Sequence, residues 1–214
     1  MKYVKMLGLA VVAAAALMAF VGAGTASAAG VNLCEATETP CTKEYPNNFT
    51  LHFSQVPGTS AKLTTTDGKT TLDTCTGSTF KIQGEVNTSP PTGTIEEQTW
   101  ETAATTCTFR TNTISNPIGK IDISHIAGTD DGTVTSDTGS EIRVTINTVL
   151  FGSCVYGVTE STVIGTLTGG SPAHFDAKAV AKKLSGSEAA CPETSLWNGE
   201  YVATTPSGGL YVET

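Results

Sequence analysis

Apolar residues in this chain recur at every second position. In residues 49–55, Phe49, Leu51 and Phe53 fall on one face of an extended segment and His52 on the other. Residues 78–86 repeat the pattern with Phe80 and Ile82, and residues 119–128 set Ile121 and Ile123 against Asp122 and Ser124. Residues 141–151 alternate Ile142, Val144 and Ile146, then slip phase at Asn147 and Thr148 before Val149 and Phe151. A slip of that kind predicts a bulge or a bend. Residues 161–169 and 196–205 are further strand candidates. Residues 173–187 contain good helix formers, yet Phe175, Ala177, Ala179 and Ala181 alternate with His174, Asp176, Lys178 and Lys182. They read better as a strand. Turn signals such as Asp67-Gly68, Pro90-Pro91, Asp131-Gly132, Gly169-Gly170 and Gly208-Gly209 punctuate the runs. Short strands at such intervals predict an all-β fold, an antiparallel β-sandwich or jelly-roll-like arrangement. Abundant threonine agrees, because its branched Cβ suits a pleated strand.

The N-terminus departs from this pattern. Lys2 and Lys5 precede an apolar run over residues 7–21, followed by Ala26-Ser27-Ala28. That is the layout of a secretory signal peptide with its cleavage site, assigned to residues 1–28. The apolar run is shorter than the roughly 20 residues of a spanning helix, so no membrane span is expected after cleavage. Residues 29–46 read as an N-terminal arm. Residues 47–214 read as a single β-sandwich domain, with a split near residue 117 as the alternative. The six cysteines, Cys34, Cys41, Cys75, Cys107, Cys154 and Cys191, all follow the leader. An even number in that context predicts disulfides stapling the fold. Several pairings are open. The sequential set is favoured: Cys34–Cys41 closes a small loop containing Pro40, and each of the others closes a loop worth roughly 3–4 kcal/mol.

Charge narrows the partners. The formal net charge is −8, and loss of Lys2 and Lys5 with the leader makes it more negative. Nucleic acid needs clustered Lys and Arg, so it is excluded as a partner. Charged residues are only 15% of the chain against 39% apolar, which excludes disorder.

Three stretches carry a resemblance. They are Cys75-Thr76-Gly77-Ser78, the run Phe151-Gly152-Ser153-Cys154-Val155-Tyr156-Gly157, and Gly186-Ser187 leading through Cys191-Pro192 to Trp197 and Tyr201. Together the chain resembles a family of uncharacterised secreted, disulfide-bonded β-proteins of actinobacteria. The resemblance implies a secreted β-fold and brings no activity with it.

Candidate chemistry is sparse. There is no Gly-x-Ser-x-Gly elbow, and His52, His125 and His174 are far apart in sequence. Residues 94–102 offer paired carboxylates. An unbroken strand puts Glu96, Gln98 and Trp100 on one face, and Glu97, Thr99 and Glu101 on the other. The preferred reading is an exposed strand anchored by Trp100, with no catalytic residue assigned. Asp130, Asp131 and Asp137 are candidate calcium ligands, since calcium takes clustered oxygens. Their spacing fits neither an EF-hand nor a β-roll, and Asp-Gly also signals a hairpin. No other cofactor is expected. Trp100, Tyr156, Trp197 and Tyr201 are candidate sugar-stacking side chains. Trp197, Gly199 and Tyr201 share a face, and turning it inward leaves Asn198 and Glu200 in water, the more economical arrangement. The sequence therefore predicts a secreted, non-catalytic β-domain with a binding or structural role. Its expected partner is a cell-envelope glycan or a protein. A secreted glycan hydrolase or a carbohydrate-binding module is the alternative, and the oligomeric state is open.

Overall fold

Each alternating run becomes a strand with its apolar set turned inward. The computed structural model describes residues 30–38, 40–86, 88–99, 107–108, 113–114, 119–137, 142–148 and 150–214. The strands, in chain order, are β1 (Asn32–Cys34), β2 (Phe49–Gln55), β3 (Ala61–Thr65), β4 (Thr71–Cys75), β5 (Thr79–Glu85), β6 (Thr92–Thr99), β7 (Thr113–Ile114), β8 (Gly119–His125), β9 (Gly132–Ser136), β10 (Ile142–Thr148), β11 (Gly152–Val158), β12 (Val163–Thr168), β13 (His174–Lys183), β14 (Thr194–Thr205) and β15 (Tyr211–Glu213). All described pairings are antiparallel, and no helix occurs among the described residues. Val31–Thr214 form one unit. The expected signal peptide and the alternative boundary near residue 117 lie outside the described residues.

The strand order β14-β2-β5-β6-β8-β9-β12-β13 closes on itself through the β13–β14 pairing. This is an eight-stranded barrel, not the expected sandwich or jelly roll. The local reading could not separate them, because both architectures use strands with one apolar face. What decides is the long-range pairing of β14 with β2.

The hairpin β13–β14 is longer than the barrel needs. Its ladder runs unbroken from His174↔Val202 to Lys182↔Thr194. The barrel uses one half, where β13 pairs β12 through His174–Ala177 and β14 pairs β2 from Tyr201 onward. The other half anchors a second sheet. There, Ser195–Asn198 pair β3, and Lys182 and Lys183 pair β11, extending the order to β4-β3-β14-β13-β11-β10-β7. The segment around residue 178 is thus a strand, as its alternation predicts. The phase slip at Asn147 and Thr148 marks the end of β10: Thr148 Oγ1 accepts the Phe151 N–H at 2.9 Å, and the chain reverses into β11.

Aromatic rings fill the barrel. Phe53 stacks on Phe80 at 4.8 Å, and Phe80 meets Phe175 edge-on at 5.5 Å and Tyr201 at 4.9 Å. Each such pair adds about 0.5–1.5 kcal/mol beyond the area it buries. Rings of this size fit because glycines face them. A Cβ on Gly165 would stand 2.6 Å from the Phe175 ring and 2.5 Å from the Asp176 carbonyl oxygen. Gly84 stands in the same relation to Phe49.

One barrel end is covered by the N-terminal arm and the C-terminal strand. β1 pairs β15, and Leu33, Leu210 and Val212 are fully buried. The Val212 N–H donates to the Asp130 carbonyl at 3.0 Å, and the Tyr45 hydroxyl to the Gly209 carbonyl at 2.6 Å. The disulfides are sequential: Cys34–Cys41, Cys75–Cys107 and Cys154–Cys191.

The glycine–ring pairing generates a test. Gly165→Ala is expected to lower folding stability by roughly 1–3 kcal/mol through overpacking, read as a lower urea midpoint with an unchanged slope. An unshifted midpoint would show that the Phe175 ring steps aside at no cost.

Candidate functional site

Because inward positions are apolar, the outward positions of neighbouring strands form polar rows. Register places Gln83 opposite Thr94, and Thr94 opposite Lys120. The Asp137 N–H donates to the Lys120 carbonyl, which brings Asp137 to the same row. The next row is Glu85, Thr92, Asp122 and Thr135. Across the first row lies an open groove of about 500 Å³. Glu85 and Thr92 flank it on one side and Glu96 on the other, and Asn48 also lines it. Asn48 holds a left-handed backbone (φ 62°), a conformation that asparagine tolerates better than most residues.

Glu96 reaches this groove because of a bulge in β6. Lys81 pairs Glu97 while Ile82 pairs Ile95, so Glu96 is the extra residue. Its Oε2 accepts from Lys81 Nζ at 2.7 Å. The Gln83 amide, oriented to satisfy both groups, donates to Glu96 Oε1 and Oε2 at 2.7 and 3.1 Å. The bulge also corrects the expected face assignment. Glu96 and exposed Glu97 both belong to the outer side, while Gln98 turns inward beside Phe80 and Ile82. Asp122 has its carboxyl raised above the ordinary range, first by partial burial and then by the charge of Asp137.

A second hollow lies inside the second sheet. Leu63, Ile142, Ile146, Tyr156, Ala181 and Trp197 surround about 40 Å³, with Asp73 and Arg143 at its margin. That is room for about two or three waters, so it is a gap in packing and not a ligand site.

The aromatic candidates point inward. Tyr156 is fully buried, and its hydroxyl donates to the Pro192 carbonyl at 3.1 Å. Tyr201 is 1% exposed; its hydroxyl meets Ser78 Oγ at 3.0 Å, and Ser78 in turn bonds Gln55 Oε1. Trp197 is half-buried, edge-on to Tyr201 at 6.2 Å. These three side chains form core and not a surface platform. Trp100 and Glu101 lie outside the described residues.

The three aspartates proposed for calcium do not share a site. Asp130 and Asp131 occupy the β8–β9 turn, where Asp131 Oδ1 accepts the Gly169 N–H at 2.9 Å. Asp137 follows the far end of β9, about 20 Å along an extended strand. Among the described residues, ligand atoms suited to a metal cluster at Asp73, Cys75 and Cys107. The two sulfurs there are bonded to each other, which leaves no thiolate.

Sequence reasoning missed Gln83, Thr94, Lys120 and the placement of Asp137. Their signal is only an outward position in four separate runs. Nothing local states which runs are neighbours. No protein-family model, curated protein or solved structure matches the chain.

Burial sets a pH limit on the fold. The Tyr45, Tyr156 and Tyr201 hydroxyls are pushed from 10.0 up to about 12, chiefly by burial. Glu35 adds to the shift at Tyr45 and Glu193 at Tyr156, while hydrogen bonds from Ser78 and Trp197 oppose it at Tyr201. Between pH 10 and 12 the unfolded chain has lost protons that the folded chain keeps, so stability falls as pH rises. The melting temperature is expected to drop across that window, with phenolate absorbance appearing together with unfolding. Full phenolate absorbance in still-folded protein at pH 10.5 would contradict this.

Proposed function

We propose that this chain is a secreted, non-catalytic β-barrel domain that binds a polyhydroxylated polymer of the cell envelope through the outer groove. The observation that carries this reading is the groove lining. Amide, carboxylate, hydroxyl and ammonium groups from β5, β6 and β8 and from the segment after β9 converge on about 500 Å³, a size typical of ligand sites. Planar amides and carboxylates accept or donate two bonds side by side, which suits vicinal hydroxyls of sugars. Three disulfides support an extracytoplasmic setting, as does the leader-like sequence of residues 1–28.

Calorimetric titration with solubilised cell-wall glycan tests the reading. Gln83→Ala is expected to weaken binding roughly three- to tenfold, the loss of about one hydrogen bond. Failure of the wild-type protein to bind any cell-wall glycan would overturn it.

A second reading, hydrolysis of the bound glycan, draws on Asp122 and Asp137. Partial burial and the charge of Asp137 raise the Asp122 carboxyl above its ordinary range, and two carboxyl groups with separated affinities for the proton are the arrangement of an acid–base pair. Release of reducing ends by wild type, abolished in Asp122→Asn, would establish catalysis; no release under binding conditions leaves the domain a binder.

A further inference from the structure

We infer that the groove takes a linear, extended glycan lying across the strands, with one sugar unit over each of β5, β6, β8 and the continuation of β9. The inference rests on the groove being a glycan site. It starts from direction. The four lining residues Gln83, Thr94, Lys120 and Asp137 are not successive along any strand; they are lateral neighbours in one row. Neighbouring strands stand about 4.8 Å apart, so the row spans about 14 Å from β5 to β9. Its axis is perpendicular to the strands.

Width supports the same direction. Successive outward rows are about 7 Å apart, two residues along a strand. Glu85 and Thr92 bound the groove one row to one side. On the other side stands Glu96, fixed by Lys81 at 2.7 Å and by the Gln83 amide. A polymer running along a strand would meet that fixed carboxylate within one row. One running across the strands meets none of these walls end-on.

Periodicity makes the fit specific. A pyranose chain with equatorial 1,4 linkages advances per unit by nearly the distance between two strands. Successive units turn alternate edges to the wall, and each comes level with one group of the row: amide at Gln83, hydroxyl at Thr94, ammonium at Lys120, carboxylate at Asp137. A chain with axial 1,4 linkages coils and cannot keep that register beyond a unit or two. The groove should therefore read chain length and linkage geometry.

The test uses the disulfide-intact chain and two ladders of oligosaccharides, from one to six units. One ladder is β-1,4-linked N-acetylglucosamine and the other α-1,4-linked glucose. With the β-linked ladder, affinity is expected to rise by roughly threefold or more per unit, about one hydrogen bond each, up to four units and then level off. The α-linked ladder should gain little beyond two units. Gln83→Ala and Asp137→Ala remove opposite ends of the row, and each should move the plateau from four units to three. Circular dichroism on each variant excludes unfolding as the cause. A plateau at one or two units, continued growth to six, or equal behaviour of both ladders would overturn the cross-strand run while leaving the groove a glycan site. Binding of neither ladder, together with no binding of whole cell-wall glycan, would overturn the groove reading itself.

Discussion

The antiparallel ladder between β13 and β14 belongs to both halves of the architecture at once. Toward one end it supplies the seam that closes the barrel; toward the other it is the centre of the second sheet. Its inward face records the change of duty. Phe175 stands opposite Tyr201 inside the barrel, then Ala177 opposite Gly199, then Ala179 opposite Trp197. The Ala177–Gly199 step is a waist with almost no side-chain volume. Gly199 is required there because the Tyr201 ring folds back over it, 2.8 Å from where a Cβ would be. Loss of this ladder would open the barrel and divide the second sheet together, so the two halves cannot unfold independently.

The covalent links follow the same logic. No cysteine lies on any of the eight barrel strands. Cys75 ends β4, Cys154 lies on β11, and Cys34 ends β1. A closed barrel satisfies all its strand edges through its own ladder. Among the described residues the second sheet ends at β4 and β7 and the terminal cap has two strands, and those are the parts that are stapled. The outer wall of the barrel is then free to carry polar rows whose positions are fixed by register alone. That is the condition for a surface groove to hold its donors and acceptors in place.

The strands themselves were legible in the sequence because alternation is local. Phe49, Leu51 and Phe53 face inward and His52 faces water, as their spacing requires. The inward turn of Trp197 and Tyr201 was also legible, since Asn198 and Glu200 needed the other face. Three features were not. Closure depends on β14 meeting β2 across some 150 intervening residues, a contact that no window of sequence contains. The bulge at Glu96 inserts one residue without altering composition, and so reverses the side on which Gln98 emerges. The central row of the groove draws one residue from each of four segments, so it exists only once their order around the barrel is known.

The pairing of Asn32 with Glu213 has a mechanical consequence. The start of β1 and the end of β15 lie side by side at one end of their ladder. Tension applied through the flanking chain would load their hydrogen bonds one after another, as a zipper is opened, instead of loading them all in parallel. Such a joint yields at low force. Peeling β1 away would be arrested after a few residues, because the Cys34–Cys41 link prevents the next loop from extending. The cap is therefore suited to a domain held by its ends without load, and poorly suited to one that transmits strain along a polymer.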